Sequence, residues 1–280
     1  MTQIFKYMNL VALLLMSSVT YAETSDCTPI TTLPFDITKS GVYCLTGNLK
    51  SSRSGGSMIR VKASDVTIDL NSWTLDGSPA GTATKAVGIY AFKRSNCTIR
   101  NGTIRGFYKG IQLFEPNPYL LTQGHLVEDV RVENSTYNGI QVNGRNNVVR
   151  NNHVTETGNS TLQPGLRAYG IQVYGNFSRI LGNDISDTTA DGTSAGYGIV
   201  LGFANSSIVQ GNRINDVQTD TGISHGIFIS PSDNLIIRDN NIINADSGIY
   251  YSNSTGKNLN NLTTNVTVPY TGGDDAGGNN

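Results

Sequence analysis

Three features of this 280-residue chain predict an all-β fold, a single-stranded right-handed parallel β-helix solenoid of about eight coils. A Gly-Ile pair recurs at Gly88, Gly110, Gly139, Gly170, Gly198, Gly226 and Gly248, at intervals of 22 to 31 residues. Self-similarity at that period marks stacked supersecondary units. Between the pairs lie short β-branched segments separated by Asn and Gly, without helical periodicity, so each unit consists of strands and turns. An Asn also recurs once per coil, at Asn152, Asn183, Asn212 and Asn240.

Each element follows from these columns. The first strand of a coil reads Gly-Ile-x-apolar, which turns Ile111 and Leu113, Ile140 and Val142, or Ile171 and Val173 inward at period two. The rest of the coil carries two apolar anchors five residues apart, as in Ile99 and Ile104, Val149 and Val154, Ile180 and Ile185, Val209 and Ile214, and Ile237 and Ile242. Stacked coils place the Asn amides about 4.8 Å apart, close enough to hydrogen-bond up the stack and satisfy one another in a buried turn. Ile59 and Val61, with Leu70 and Leu75, extend the pattern one coil toward the N-terminus. The solenoid is therefore assigned to residues 58–268, with an N-terminal cap segment over 23–57 and a flexible Gly/Asn-rich tail over 269–280.

Residues 1–22 read as a secretory signal peptide: Lys6 precedes an apolar run from Leu10 to Met16, and Ala22 offers a small residue for cleavage. No stretch is long enough for a transmembrane anchor, so the expected location is secreted or periplasmic. Cys27 and Cys44 are expected to form a disulfide there, and Cys97, in an apolar strand pattern, a buried thiol. With 20 basic and 21 acidic residues the chain has no charge footprint for nucleic acid. No cofactor and no Cys/His metal cluster is expected; calcium stays open, because Glu156, Asp187 and Asp216 form a column that suits either a cation or ordinary strand-exit turns. The oligomeric state is not encoded.

On the Gly-Ile repeat, the inward strand pattern and the Asn column, the chain resembles the pectate-lyase-like superfamily of right-handed parallel β-helix proteins over roughly residues 58–265. The resemblance implies the fold. It carries over no catalytic residues, because neither the aspartate clusters of the polygalacturonase-like hydrolases nor the arginine-bearing segments of the calcium-dependent pectate lyases are present.

Insertions in a solenoid map to loops that frame a binding face. Here they fall at Glu115–His125, Thr157–Ala168, Thr188–Gly196 and Val217–Ser224, all flanking the first strand. The outward residues of that strand and its flanks give a substrate-binding set of Gln112, Gln141, Asn143, Arg145, Gln172, Tyr174, Tyr197 and Phe228. Flat aromatic rings beside amides suit sugar rings, and they are equally ordinary partners on a β-surface. For β-elimination His225 is the candidate base, Tyr169 or Tyr197 the candidate acid, and Arg167 or Arg145 the partner of a uronate carboxylate. The columns Arg100, Glu128, Arg150 and Arg131, His153, Asp184, Arg213 read as charge ladders that fix register. The expectation is an exported protein that binds an acidic polysaccharide over the first strands of the middle coils and, if it is an enzyme, cleaves it as a lyase. The alternative is a non-catalytic glycan-binding or structural, adhesive envelope protein.

Overall fold

The computed structural model describes residues 26–162 and 165–280; the expected signal peptide at 1–22 lies outside them. Apart from one 3-10 turn at Ser78–Ala80, the described residues form strands and turns, wound so that each coil contributes one strand to each of three parallel sheets.

The first sheet contains the eight expected strands: Ser57–Val61, Val87–Phe92, Lys109–Phe114, Asn138–Asn143, Ala168–Tyr174, Gly196–Gly202, His225–Ile229 and the C-terminal half of Asn241–Tyr251. Their isoleucines pair in unbroken register, Ile59 with Ile89, then Ile111, Ile140, Ile171, Ile199, Ile227 and Ile249, all fully buried. Replacing Ile171 by Ala is expected to cost about 2–5 kcal/mol in a urea titration, because the side chain is fully buried and its loss leaves a cavity in the column.

The glycine ahead of each isoleucine has a steric cause. At Gly170 a Cβ would stand 2.7 Å from both the carbonyl oxygen of Gly198 and Cγ2 of Ile185. The same collision, with the next coil's glycine carbonyl and with a branched side chain of the third sheet, recurs at Gly110, Gly139, Gly198 and Gly226. The repeated Gly-Ile pair thus marks the corner where the third sheet packs against the first.

The Asn column forms the expected ladder. Asn183 Oδ1 accepts from the backbone N–H and Nδ2 of Asn152, both at 3.0 Å. Its Nδ2 donates to Val149 carbonyl (3.0 Å) and to Asn212 Oδ1 (2.9 Å). Asn212 and Asn240 repeat the pattern, which continues through Asn261 to Asn279. The charge columns form in part: Arg150 meets Glu128 and Arg213 meets Asp184, each at 2.6 Å, while Arg100 pairs with Asp69 and Arg131 with Glu133.

Both ends depart from the expected boundaries. The segment expected to cap the solenoid winds as a further coil: Phe35 and Ile37 pair with Ile59 and Val61, Gly41–Leu45 with Val66–Asp69, and Leu49 with Leu75. Phe35 takes the place of the repeat isoleucine, so a search on Gly-Ile passes over this coil. The tail expected to be flexible is tied in, since Asp274 and Asp275 pair with Lys257 and Asn258 of the preceding coil, and Asn279 ends the Asn ladder. Cys27 and Cys44 are bonded and Cys97 is a buried free thiol. Reduction of the bond, which closes a loop of 17 residues, is expected to lower stability by about 3 kcal/mol in the chain-entropy account, read as a fall in the urea midpoint under dithiothreitol.

Candidate functional site

The outer face of the first sheet is the floor of a groove with two walls. One wall is the insertion after Phe114. Glu115 is fully buried beneath it, and its carboxylate accepts the backbone N–H groups of Leu121 (3.1 Å) and Thr122 (2.8 Å). The other wall is made by the loops ahead of the Ala168, Gly196 and His225 strands. These stack on one another: the Ser194 hydroxyl bonds to Gly165 carbonyl, Gly192 N–H donates to the Asp220 carboxylate at 2.8 Å, and Thr221 N–H donates to Gly192 carbonyl at 3.0 Å. The first of these loops leans back along the solenoid, where the Thr161 and Thr82 hydroxyls meet at 3.0 Å. It thereby passes two coils and lays Leu162 and Leu166 beside Tyr108 and Lys109.

On the floor, the residues just ahead of the glycines stand in register as Lys109, Asn138, Tyr169, Tyr197, His225 and Ser247. Tyr169 and Tyr197 stack at 5.2 Å, and Tyr197 stacks on His225 at 5.4 Å. Tyr108 and Tyr137 form a second stack at 4.7 Å, which meets Tyr169 edge-on. The neighbouring column runs Gln112, Gln141, Gln172, Val200, Phe228 and Tyr250. Although these side chains point outward, packing against each other leaves Tyr169, Tyr197, Gln141 and Gln172 buried.

Lys109 is the residue that the sequence reading passed over. Its Nζ donates to Gln141 Oε1 at 2.8 Å, an atom that also accepts from Gln112 Nε2 at 3.0 Å, and it stands 5.4 Å from the ring centre of Tyr137. Among the described residues no carboxylate lies within ion-pairing distance of it. Burial without a counter-ion pulls its pKa down to about 8. Reading the column Asn138, Tyr169, Tyr197, His225 one coil earlier leads to Lys109.

The expected site residues divide into groups. Gln112 and Gln141 adjoin Lys109, while Gln172 accepts from Asn138 Nδ2 (2.9 Å) and donates to the Tyr174 hydroxyl (3.0 Å). Tyr174 lies over Gly202 and under Tyr119, stacked at 5.2 Å, so it is half-buried and part of the wall. Arg167 is exposed at the groove edge with Nη1 3.5 Å from the Tyr169 hydroxyl. His225 stands two strands from Tyr169, with Tyr197 between them and stacked on the imidazole. Burial draws the His225 pKa down to about 4, against the opposing pull of Asp246, and its Nδ1 has no partner. Phe228 packs edge-on against Tyr197 at 5.2 Å and stacks on Tyr250 at 5.6 Å.

Two expected binding residues lie elsewhere. Asn143 is only 1% exposed and donates to Glu115 carbonyl at 2.7 Å, which fastens the inserted loop. Arg145 exchanges backbone hydrogen bonds with Thr122 and Gly124 at the root of that loop, on the sheet edge opposite Arg167. The insertion reroutes this corner, so a position that is half-buried at Tyr174 is fully covered at Asn143. The column Glu156, Asp187 and Asp216 lies on the third sheet with Asn134 and Asn244, every member at φ between 52° and 56°. Asn and Asp tolerate that left-handed corner, and Asn244 Nδ2 donates to Asp216 Oδ1 at 2.6 Å.

Comparison with known proteins places this geometry in context. A family model described as a right-handed beta helix region matches residues 35–185 and 119–279, beginning in the coil that includes Phe35. A cell surface glycoprotein of Methanothermus fervidus is 28% identical over 187 residues, covering 65% of this chain and 30% of that protein. The chain thus spans under a third of that relative's length. Among solved structures, an alginate lyase from Paenibacillus sp. superposes with a TM-score of 0.54 at 14% identity, covering 89% of this chain and 93% of the lyase. The Dettilon tailspike protein gives 0.52 at 15% identity, covering 90% of this chain and 59% of the tailspike chain. At such identities the likeness is one of fold. With its stacked coils and a family match that runs along nearly the whole described chain, the protein belongs to the right-handed β-helix family.

Proposed function

We propose that this protein binds an acidic polysaccharide lengthwise in the groove over the first sheet, with Lys109 meeting a uronate carboxylate. The observation that carries this reading is a half-buried ammonium with no carboxylate near it, on a floor of stacked tyrosines and glutamine amides. Aromatic faces take the apolar faces of sugar rings, amides take their hydroxyls, and an unpaired cation supplies the charge-assisted bond. Arg167, at the groove edge beside Tyr169, offers a second cation two strands further on. Likeness of fold to an alginate lyase and a tailspike protein is in keeping with this reading. The Cys27–Cys44 bond supports an exported chain, and similarity to a cell surface glycoprotein points to the same side of the envelope.

Calorimetric titration with an oligomannuronate tests the proposal. Lys109→Met is expected to weaken binding about 10- to 100-fold, the range for losing one charge-assisted hydrogen bond, and to flatten its salt dependence. Undiminished affinity in Lys109→Met, or no binding by the parent protein, would overturn the reading and favour a structural, adhesive role. A lyase activity in the same groove is the second reading. It is favoured by the low pKa of Lys109, which leaves a substantial fraction as free amine above pH 8 beside the Tyr137 ring. Release of unsaturated products, followed by ultraviolet absorbance across a panel of uronate polymers, separates binding from cleavage.

A further inference from the structure

The groove changes character along its length. At the Lys109 end it is cationic and lined with amides. Four strands further on, roughly 19 Å away at the spacing of parallel strands, it opens into a cavity of about 430 Å³. Phe228 and Tyr250, stacked at 5.6 Å with their planes 3° apart, wall this cavity together with Ile223 and Val268. Two buried polar groups on adjacent strands line it as well, the imidazole of His225 and the hydroxyl of Ser247, and the structure gives neither His225 Nδ1 nor Ser247 Oγ a hydrogen-bond partner.

Buried polar atoms are almost always paired, and these two orphans lie on adjacent strands of one aromatic cavity. An anionic ligand does not suit them. The carboxylate of Asp246 lines the same cavity and is held there by the Ser224 hydroxyl at 2.8 Å. No lysine or arginine is among the lining residues. A carboxylate placed here would face like charge without a counter-ion, whereas an uncharged ring with hydroxyl groups would stack on the aromatic wall and pair with both orphans.

We infer that this cavity is a subsite for an uncharged sugar ring, so that the polysaccharide recognised by the groove is mixed, with neutral units as well as uronates. Phe228 and Tyr250 take the apolar face of the ring, His225 Nδ1 accepts from one hydroxyl, and Ser247 Oγ pairs with a second. The neutral imidazole that burial imposes on His225 is the form able to accept at Nδ1. The inference rests on the acidic-glycan reading and divides the groove between two chemistries.

The test compares two hexasaccharides on the full chain by calorimetry, one of mannuronate alone and one of alternating glucuronate and N-acetylglucosamine. In an alternating chain a shift of one unit brings a neutral ring into the cavity in either register. The alternating ligand is expected to bind roughly tenfold more tightly, a preference lost in Ser247→Val and in Phe228→Ala, while Lys109→Met weakens both ligands. The imidazole nitrogen signals of His225, read by NMR on the unmodified protein, are expected to move with the alternating ligand and not with oligomannuronate. Equal or tighter binding of oligomannuronate, with the His225 signals unmoved by the alternating ligand, would overturn the inference while Lys109-dependent binding kept the acidic-glycan reading intact. Absence of binding by either ligand would overturn both.

Discussion

Replacing Asn183 by Ala is expected to lower stability by about 3–6 kcal/mol, one of the two largest effects anticipated for this molecule. The side chain makes four hydrogen bonds at 2.9–3.0 Å within the buried stack. Its loss strands the Asn152 N–H, one Asn152 amide hydrogen, the Val149 carbonyl and part of the capacity of Asn212 Oδ1. Each buried group left without a partner costs about 1–3 kcal/mol, and because they share one site the penalties combine less than additively. Asn183→Asp is nearly isosteric and should be at least as damaging at neutral pH. It keeps the accepting oxygen but sets a second oxygen against Val149 carbonyl and Asn212 Oδ1. A urea midpoint that falls at constant slope would measure the loss. A change below about 1 kcal/mol for both variants would show that the ladder is not tightly coupled to folding.

Acidification is the second large effect, and it acts through two buried imidazoles. Burial lowers both His125 and His225 from the ordinary histidine value to about 4, and His125 is only 2% exposed. His125 Nδ1 accepts the backbone N–H of Cys97 at 3.3 Å, so a proton on that nitrogen would face another N–H. Between pH 6.5 and 4 the unfolded chain therefore binds protons that the folded chain refuses, and stability falls as pH falls through that window. At 1.36 kcal/mol per pH unit the full loss is about 3 kcal/mol for each histidine, complete near pH 4. Carboxylates with lowered pKa values, such as Asp76 at about 2, extend the loss to still lower pH. Thermal midpoints measured from pH 7 to pH 4 should drop steadily, with a shallower slope in His125→Gln. A flat profile between pH 7 and 5 would refute the assignment.

The parts of this fold that were legible in the chain were those with a fixed period and one steric cause. Gly170 cannot carry a Cβ and Asn183 cannot be exchanged without orphaning its neighbours, so both residue types recur at every coil and expose the repeat. The first coil was hidden because Phe35, not Gly-Ile, occupies its first strand, although Ile37 keeps the inward position. The site was harder to read, since outward residues answer to their surroundings and not to the period. Gln112, Gln141, Gln172 and Tyr197 lie on the groove floor as expected. Asn143, in register with Tyr174, lies under a loop whose course depends on the buried carboxylate of Glu115, a contact seven residues along the chain. Lys109 escaped notice because its column is otherwise amide and aromatic, and only the fold shows that no acid answers its charge.

The asparagine ladder also has a direction. From Asn152 to Asn261 each Nδ2 donates one hydrogen to the Oδ1 of the next coil and the other to a carbonyl on its N-terminal side. The side-chain to side-chain bonds therefore all run one way, with their donors on the N-terminal side of each bond and the row's last donor at its C-terminal end. Aligned bonds in a low-dielectric interior polarise one another, and their unbalanced charge collects at the ends of the row, as it does in an α-helix. At the N-terminal end the exposed negative pole is answered by the backbone N–H of Val130, which donates to Asn152 Oδ1 at 3.1 Å. At the other end the Asn279 amide donates to the carboxylate of Asp275, which sets a full negative charge against the positive pole. Asp275 is thus the electrostatic terminus of a polar wire, and Asp275→Lys would put like charge at the one point where the accumulated dipole is strongest.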